Sequence, residues 1–324
     1  MKYFLLGAFS SAFFLFGSAL LFGYAGSLNL GDIATAISTG TQGQALLVPG
    51  VALVAIGLLF KVGAVPFHSW TPDVYQGAPT PVTGFMAACT KVAAFGAILR
   101  VFYVGVAGSR WDWQPAIWAV AILTMLVGSI LAVTQTDVKR MLAYSSIAHA
   151  GFILTGVLAF DKTGLSGSLF YLVAYGFTTI GAFAVVSLVR DSGGEATHLS
   201  QWAGLGKRSP ILAGIFAFFL LAFAGIPLTS GFTGKFAVFA AAVAHGGTWL
   251  AVVGVVSSAI AAFFYVRVIV LMYFSEPSGD GTTVAIPSAL MTVALTIGVA
   301  VTVILGVFPQ PVLDLAAHSA VFVP

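Results

Sequence analysis

Lys61, Lys91 and Lys235 each stand alone in a long apolar stretch. Apart from them, no charged residue lies between Asp32 and Asp73, between Asp73 and Arg100, or between Arg208 and Arg267. A lysine near the centre of a bilayer costs roughly 2.5–3.5 kcal/mol on insertion scales, so three of them require a reason. One reason is structural: a long aliphatic stem can carry its ammonium to the membrane interface. The other is chemical. Burial disfavours the charged form, which brings an amine into the range where it gains and releases a proton near neutrality. An arginine stays charged and could not do this. The three lysines are therefore candidates for a proton relay. His149, mid-stretch between Arg140 and Asp161, is either a fourth relay member, since its ordinary pKa is near neutral, or a hydrogen-bonded structural histidine. His68, just beyond Lys61, is a further candidate, whereas His198, His245 and His318 fall in loops or the tail and are expected to be solvated.

The elements that must hold these residues are membrane helices. Of the 324 residues 59% are hydrophobic and only 7% charged, with a mean hydropathy of +1.05. A soluble domain carries about 25% charged residues and could not cover its surface with so few. Thirteen Lys plus Arg against ten Asp plus Glu are too few for a nucleic-acid surface. Apolar runs long enough to span a bilayer occur near 3–25, 45–65, 82–106, 115–134, 141–160, 167–189, 210–245, 249–274 and 287–308. That predicts an all-α polytopic protein of about nine transmembrane helices. Turn signals separate the runs at 108–110, 136–137, 161–164, 190–194 and 276–281. The alternating ten-residue strands of a membrane barrel are absent from the sequence. The first run exceeds the 7–15 residues of a signal-peptide core and no A-x-A site follows it, so it reads as a spanning helix.

Two of the lysines lie beside helix breakers. Lys61 precedes Gly63 and Pro66, and Lys235 follows Gly225, Pro227, Gly231 and Gly234. Proline removes a backbone donor and clashes with the preceding turn, and the carbonyls freed inside a membrane must be satisfied by protein or by a hydrated cavity. Paired interrupted helices at mid-membrane ion sites are a feature of transporters built from repeats, which suggests an internal duplication. Counted over alternate loops, Lys2, Lys139, Arg140, Arg190, Lys207 and Arg208 face one side, and Arg110 and Lys162, with Arg100 near the edge, the other. The positive-inside bias puts the first side in the cytoplasm and the C-terminus outside. Asp137-Val-Lys-Arg at a helix junction reads as a cytoplasmic ion cluster, with a coupling role as the alternative. The single cysteine, Cys89, lies in an apolar run and is expected to be a small core residue. No histidines or carboxylates have ligand spacing, so no metal is expected. There is no Gly-rich phosphate loop for binding NADH or ATP directly.

The stretch Phe60 to Phe95, FKVGAVPFHSWTPDVYQGAPTPVTGFMAACTKVAAF, resembles the N subunits of bacterial proton-pumping NADH–quinone oxidoreductase, respiratory complex I. QTDVKRMLAYSSIAHAGF from Gln135 and GIPLTSGFTGKF from Gly225 agree, and the opening KYFLLGAFSSAFFLFGSALLFGYAGSLNL is similar to that family's sixth helix. The form WTPDVYQGAPTPV distinguishes this family from the related L and M subunits, cation/proton antiporters and hydrogenase membrane subunits. The resemblance covers nearly the whole chain, from the family's sixth helix to its fourteenth. It implies an antiporter-like inverted-repeat architecture in which residues 1–106 are the remainder of a first repeat, 107–274 a second repeat, and 275–324 a C-terminal helix and tail.

It also implies roles. Lys61 matches the proton-accepting lysine of the broken seventh helix, Lys91 the connecting lysine of the eighth, and Lys235 the lysine of the broken twelfth, where protons leave. The chain itself would hold no cofactor. NADH, flavin, iron–sulfur clusters and quinone belong to other subunits of the complex. Its partners would be a neighbouring antiporter-like subunit, the small membrane subunits and the lipid of the bacterial cell membrane. The glutamate that pairs with the family's first lysine belongs to the fifth helix, so the chain is expected to be N-terminally truncated, with the partner of Lys61 missing. Two rivals remain. A cation/proton antiporter predicts an acidic site in the spans, and a non-pumping structural subunit predicts that the lysines are dispensable.

Overall fold

The computed structural model describes residues 1–40, 43–276 and 282–319. In chain order the helices are α1 (Lys2–Ala25), α2 (Leu30–Thr39), α3 (Leu47–Val62), α4 (Trp70–Gly77), α5 (Thr80–Phe85), α6 (Lys91–Arg100), α7 (Arg110–Val133), α8 (Val138–Ala159), α9 (Lys162–Leu188), α10 (Leu205–Arg208), α11 (Pro210–Ala224), α12 (Ser230–Ala244), α13 (Thr248–Phe274), α14 (Ala289–Val307) and α15 (Gln310–Ser319). A π turn, Met86–Thr90, joins α5 to α6, and a second, Val101–Gly105, extends it. The result is one continuous span from Thr80 to Gly105.

Seven stretches among the described residues are long and apolar enough to cross a membrane, and α3, α11 and α12 are shorter apolar helices. The pairs α3–α4 and α11–α12 each stand in for one interrupted crossing, so the nine apolar runs of the sequence are accounted for. The span of α8 is 94% buried, against 17% for α1 and 22% for α14. The centre of the protein is therefore a helix, and the periphery presents large apolar side chains such as Phe9, Phe16, Leu290 and Ile304 outward. α7, α9, α12 and α13 all pack on α8. α7 comes so close that a Cβ on Gly128 would stand 2.5 Å from the Ala148 backbone nitrogen, and one on Gly151 would stand 2.6 Å from the Met125 side chain. Small residues at such crossings are how membrane helices gain contact where lipid offers no hydrophobic drive. Side-chain caps fix several starts. Asp137 accepts from Arg140 N (2.9 Å), and Asp161 accepts from Thr163 N (2.9 Å) and Gly164 N (2.8 Å), satisfying donors that a helix N-terminus leaves open.

Several features differ from the sequence reading. The 190–194 turn is a β-hairpin. β1 (Val189–Asp191) pairs with both β2 (Gly194–Glu195) and β3 (Thr283–Val284), in the order β2-β1-β3. Strands this short carry no periodicity to read. α2 and α15 are short helices outside the apolar runs. Cys89 is exposed rather than in the core, because the π turn presents it to the outside while Ala87 and Ala88 are buried. Of the turn signal at 276–281, only Glu276 lies within the described residues.

Candidate functional site

α8 carries His149 and Ser146 on its buried length, and the helices around it bring two of the three lysines to it. Lys91, at the start of α6, is 3% exposed and reaches across to α8. Its ammonium donates to the Ser146 carbonyl (2.5 Å) and hydroxyl (2.6 Å) and lies 5.3 Å from the centre of the Tyr175 ring. The Tyr75 hydroxyl, from α4, reaches the same serine. Lys235, one turn into α12, is 6% exposed. It donates to the carbonyls of Phe223 (2.9 Å) and Ala224 (3.0 Å), the last of α11. Those carbonyls are free because α11 ends at Gly225, whose φ of 87° turns the chain out of the helix. A side chain there would be strained, and its Cβ would stand 3.1 Å from Lys235 Cδ. The break thus creates two acceptors and the space for the lysine that uses them.

His149 lies between these two sites, 2% exposed and within electrostatic reach of both amines. Nδ1 is 2.8 Å from the Tyr171 hydroxyl and Nε2 is 3.3 Å from that of Tyr265, which is also hydrogen-bonded to Ser145. Rings fill the remaining space. Tyr175 and Phe223 pack on His149 at 5.0 and 5.4 Å, and Phe152 lies 5.5 Å from it while its own ring sits 4.9 Å from the Lys235 ammonium. No carboxylate among the described residues pairs with Lys91 or Lys235.

Among the described residues neither of the other two candidates touches this row directly; Lys61 connects to it only through the rings of Phe60, Trp70 (5.5 Å from Phe60) and Tyr75 (6.3 Å from Trp70). Lys61 is in the last turn of α3 and is exposed, its ammonium 6.0 Å from the neighbouring Phe60 ring. His68 lies in the break between α3 and α4, half-buried, its ring directed at the Pro66 backbone carbonyl. Here Trp70 Nε1 donates to the Phe60 carbonyl (2.9 Å), and Thr124 accepts from Val65 N (2.9 Å).

Sequence reasoning missed the tyrosines. Tyr75, Tyr171, Tyr175 and Tyr265 are fully or almost fully buried, and in an apolar run a tyrosine is indistinguishable from core packing. A detectable signal was present for two of them: Tyr171 and Tyr175 are four apart and so share a face of α9. Asp137-Val-Lys-Arg resolves into three separate roles. Asp137 caps α8, Arg140 pairs with Asp73 (2.7 Å), and Lys139, although beside a loop, is buried against Glu195 (3.1 Å) and the Ala78 carbonyl (2.7 Å). Glu195 also accepts from the Thr80 hydroxyl (2.5 Å). Burial pushes its pKa up, but the Thr80 and Lys139 hydrogen bonds and the Lys139 charge outweigh this and hold the carboxyl below its ordinary value. Lys2 also pairs with Asp73, so Lys2 and Arg140 meet at one end of the bundle.

A helical bundle with two interrupted crossings and a buried row of amines around a central histidine is the architecture of an antiporter-like membrane subunit. Residues 1–261 match the model of the NADH:quinone oxidoreductase/Mrp antiporter transmembrane family, and the chain belongs to that family. It is 67% identical over 322 residues to NADH-quinone oxidoreductase subunit N of Rhodococcus opacus, covering 99% of this chain and 60% of that protein. It is 63% identical over 324 residues to the subunit N of Mycobacterium bovis, covering 99% and 61%. The chain therefore spans about three fifths of the length of these relatives. Among solved structures, a chain of respiratory complex I from Thermus thermophilus superposes with a TM-score of 0.83 at 37% identity, covering 98% of this chain and 68% of that one. A chain of the Mrp complex from Dietzia sp. does so with a TM-score of 0.86 at 25% identity, covering 99% and 67%.

Proposed function

We propose that this chain acts as a proton-translocating membrane subunit of a bacterial NADH–quinone oxidoreductase. Protons would pass along Lys61, Lys91, His149 and Lys235, driven by electron transfer from NADH to quinone in other subunits. The observation that carries this reading is the way the two buried amines are held. Each has two fixed acceptors, both oxygens of Ser146 for Lys91 and the carbonyls of Phe223 and Ala224 for Lys235. Two acceptors match the two N–H groups of a neutral amine, while an ammonium has three donors. The third nitrogen valence is where a proton arrives and leaves, and the first two bonds survive its departure. Either tautomer of His149 is accommodated by rotating two hydroxyls, because Tyr171 and Tyr265 each serve as donor or acceptor, so the ring can take a proton on one nitrogen and give one up from the other. Like charges in a low-dielectric interior repel strongly, so a proton on one member favours its loss from the next.

Subunits N of the relatives are named for NADH-quinone oxidoreductase, which supports placing this chain beside the other membrane subunits of such a complex in the bacterial cell membrane. The loop charges favour a cytoplasmic face at the Lys2, Lys139 and Arg140 end and an external C-terminus. The repeats would fall at 1–106 and 107–274, and the reading requires no cofactor in this chain. The test is proton translocation per NADH oxidised in inverted membrane vesicles. Lys91→Ala and Lys235→Ala, introduced separately, are expected to lower it markedly while the complex still assembles. Normal pumping by both variants would overturn the relay.

A further inference from the structure

α13 carries one charge in 27 residues, Arg267. It lies seven residues before the helix ends at Phe274, about 10 Å inside that end at 1.5 Å per residue. It also points the expensive way. Arg267 is exposed together with Phe263, Val266, Val270 and Phe274, a set spaced to form one stripe of an α-helix, so the guanidinium shares the face that α13 turns to lipid. Its NH1 donates to the Val133 carbonyl at the end of α7 (2.9 Å). Among the described residues that is its one bond, from a group with five N–H donors, and no carboxylate there pairs with it.

Beside the guanidinium is a cavity of about 390 Å³. Its polar lining is Thr136, His198, Ser200, Arg267 and Ser275, and its other walls are aliphatic side chains of α13 and Leu199. His198 Nδ1 is 2.8 Å from the Ser200 hydroxyl. Among the described residues the lining therefore offers a cation, an imidazole and three hydroxyls, but no anion. It sits at the end of the bundle where Lys139 and Arg140 also lie. A cation at the hydrocarbon edge without a counter-charge is unfavourable, and the neighbour that the stripe of Phe263, Val266 and Val270 selects is an acyl chain. Both demands are met by one molecule with a phosphate above its chains, and basic pockets between membrane helices do bind such headgroups.

We propose that this cavity is a binding site for an anionic phospholipid, its phosphate on Arg267 and the hydroxyl of Ser275, its chains along the exposed stripe of α13. The inference does not depend on the relay. It is tested on the assembled complex, delipidated and titrated with phosphatidylcholine vesicles containing increasing phosphatidylglycerol, with bound lipid counted by mass. The natural chain is expected to retain one more phosphatidylglycerol than Arg267→Gln, whose affinity at that site falls at least tenfold, with Arg267→Lys between them. Equal retention by all three overturns the proposal. Should Arg267→Gln fail to assemble, a photoreactive residue at Val270 in an otherwise natural chain decides. A lipid adduct supports the site, whereas an adduct to another subunit shows that this face is a protein interface and overturns it.

Discussion

The two interrupted crossings use the same device and arrive at opposite results. In each a helix ends at a glycine in the left-handed region, Gly63 (φ 75°) or Gly225 (φ 87°), and a proline follows within three residues. At the α11–α12 break the freed carbonyls are satisfied by the lysine itself, which is buried for that purpose. At the α3–α4 break the Phe60 carbonyl accepts from both the Gly63 N–H (3.1 Å) and the Trp70 indole (2.9 Å), and Lys61 is left exposed with no protein acceptor for its ammonium among the described residues. An interrupted helix thus supplies acceptors, and whether they hold a titratable group depends on which side chain reaches them first. Lys235 is part of the way its break is sealed, while Lys61 takes no part in sealing its own.

Lys235→Met should give the largest departure between the two breaks. It leaves the carbonyls of Phe223 and Ala224 without donors, at about 1–3 kcal/mol for each buried group, and removes a member of the proposed relay. Lys61→Met should abolish translocation equally but shift stability by no more than about 0.5 kcal/mol, as for an exposed residue. Thermal denaturation of the solubilised complex, read beside proton pumping, separates the two. Equal destabilisation by both would mean that Lys61 has a partner of its own. Next comes Trp70→Phe, which keeps an aromatic ring but removes the indole donor to Phe60, whose carbonyl still accepts from Gly63 N. A loss of about 0.5–1.5 kcal/mol, the net worth of one hydrogen bond, is expected, and no loss would show that the Gly63 bond alone seals the α3 break.

Glu195 sharpens the contrast between buried and peripheral ion pairs. Its carboxyl is held below the ordinary value, so the folded state releases that proton more readily than the unfolded chain does. Its contribution is therefore complete above the ordinary carboxyl range, near 4.3, and is lost as the pH falls through the lower, native value. The melting temperature of the natural protein should drop across that acidic window, and the corresponding drop should be smaller in Glu195→Gln. Identical pH profiles would remove Glu195 from the account. The smallest effect belongs to Lys2→Ala. Its pair with Asp73 is largely exposed, worth about 0.2–1 kcal/mol, and should vanish in high salt; a salt-independent loss would contradict this.

The lysines were legible because charge is rare in this chain, so each isolated one announces itself, and the breaks were legible from Gly and Pro. The nine crossings followed from run length alone. The burial of Lys139 was not legible. Its acceptor, Glu195, is 56 residues away in the sequence, on a hairpin too short to show a period. Nor were the tyrosines around His149, since the hydroxyl that matters there is appended to a ring that hydropathy treats as core. The exposure of Cys89 escaped for a related reason: a wide turn changes which way a residue points without changing any residue.

That wide turn has a geometric consequence for Lys91. An α-helix advances about 100° per residue, and a π turn accommodates one residue more than an α turn does. The Met86–Thr90 turn therefore sets the azimuth of everything beyond it relative to Thr80–Phe85. Were it to tighten to α geometry with no residue removed, the rest of the helix would rotate by about 100° and swing the amine away from Ser146. The coupling between Lys91 and α8 is accordingly a matter of helical phase, set one turn upstream of the lysine.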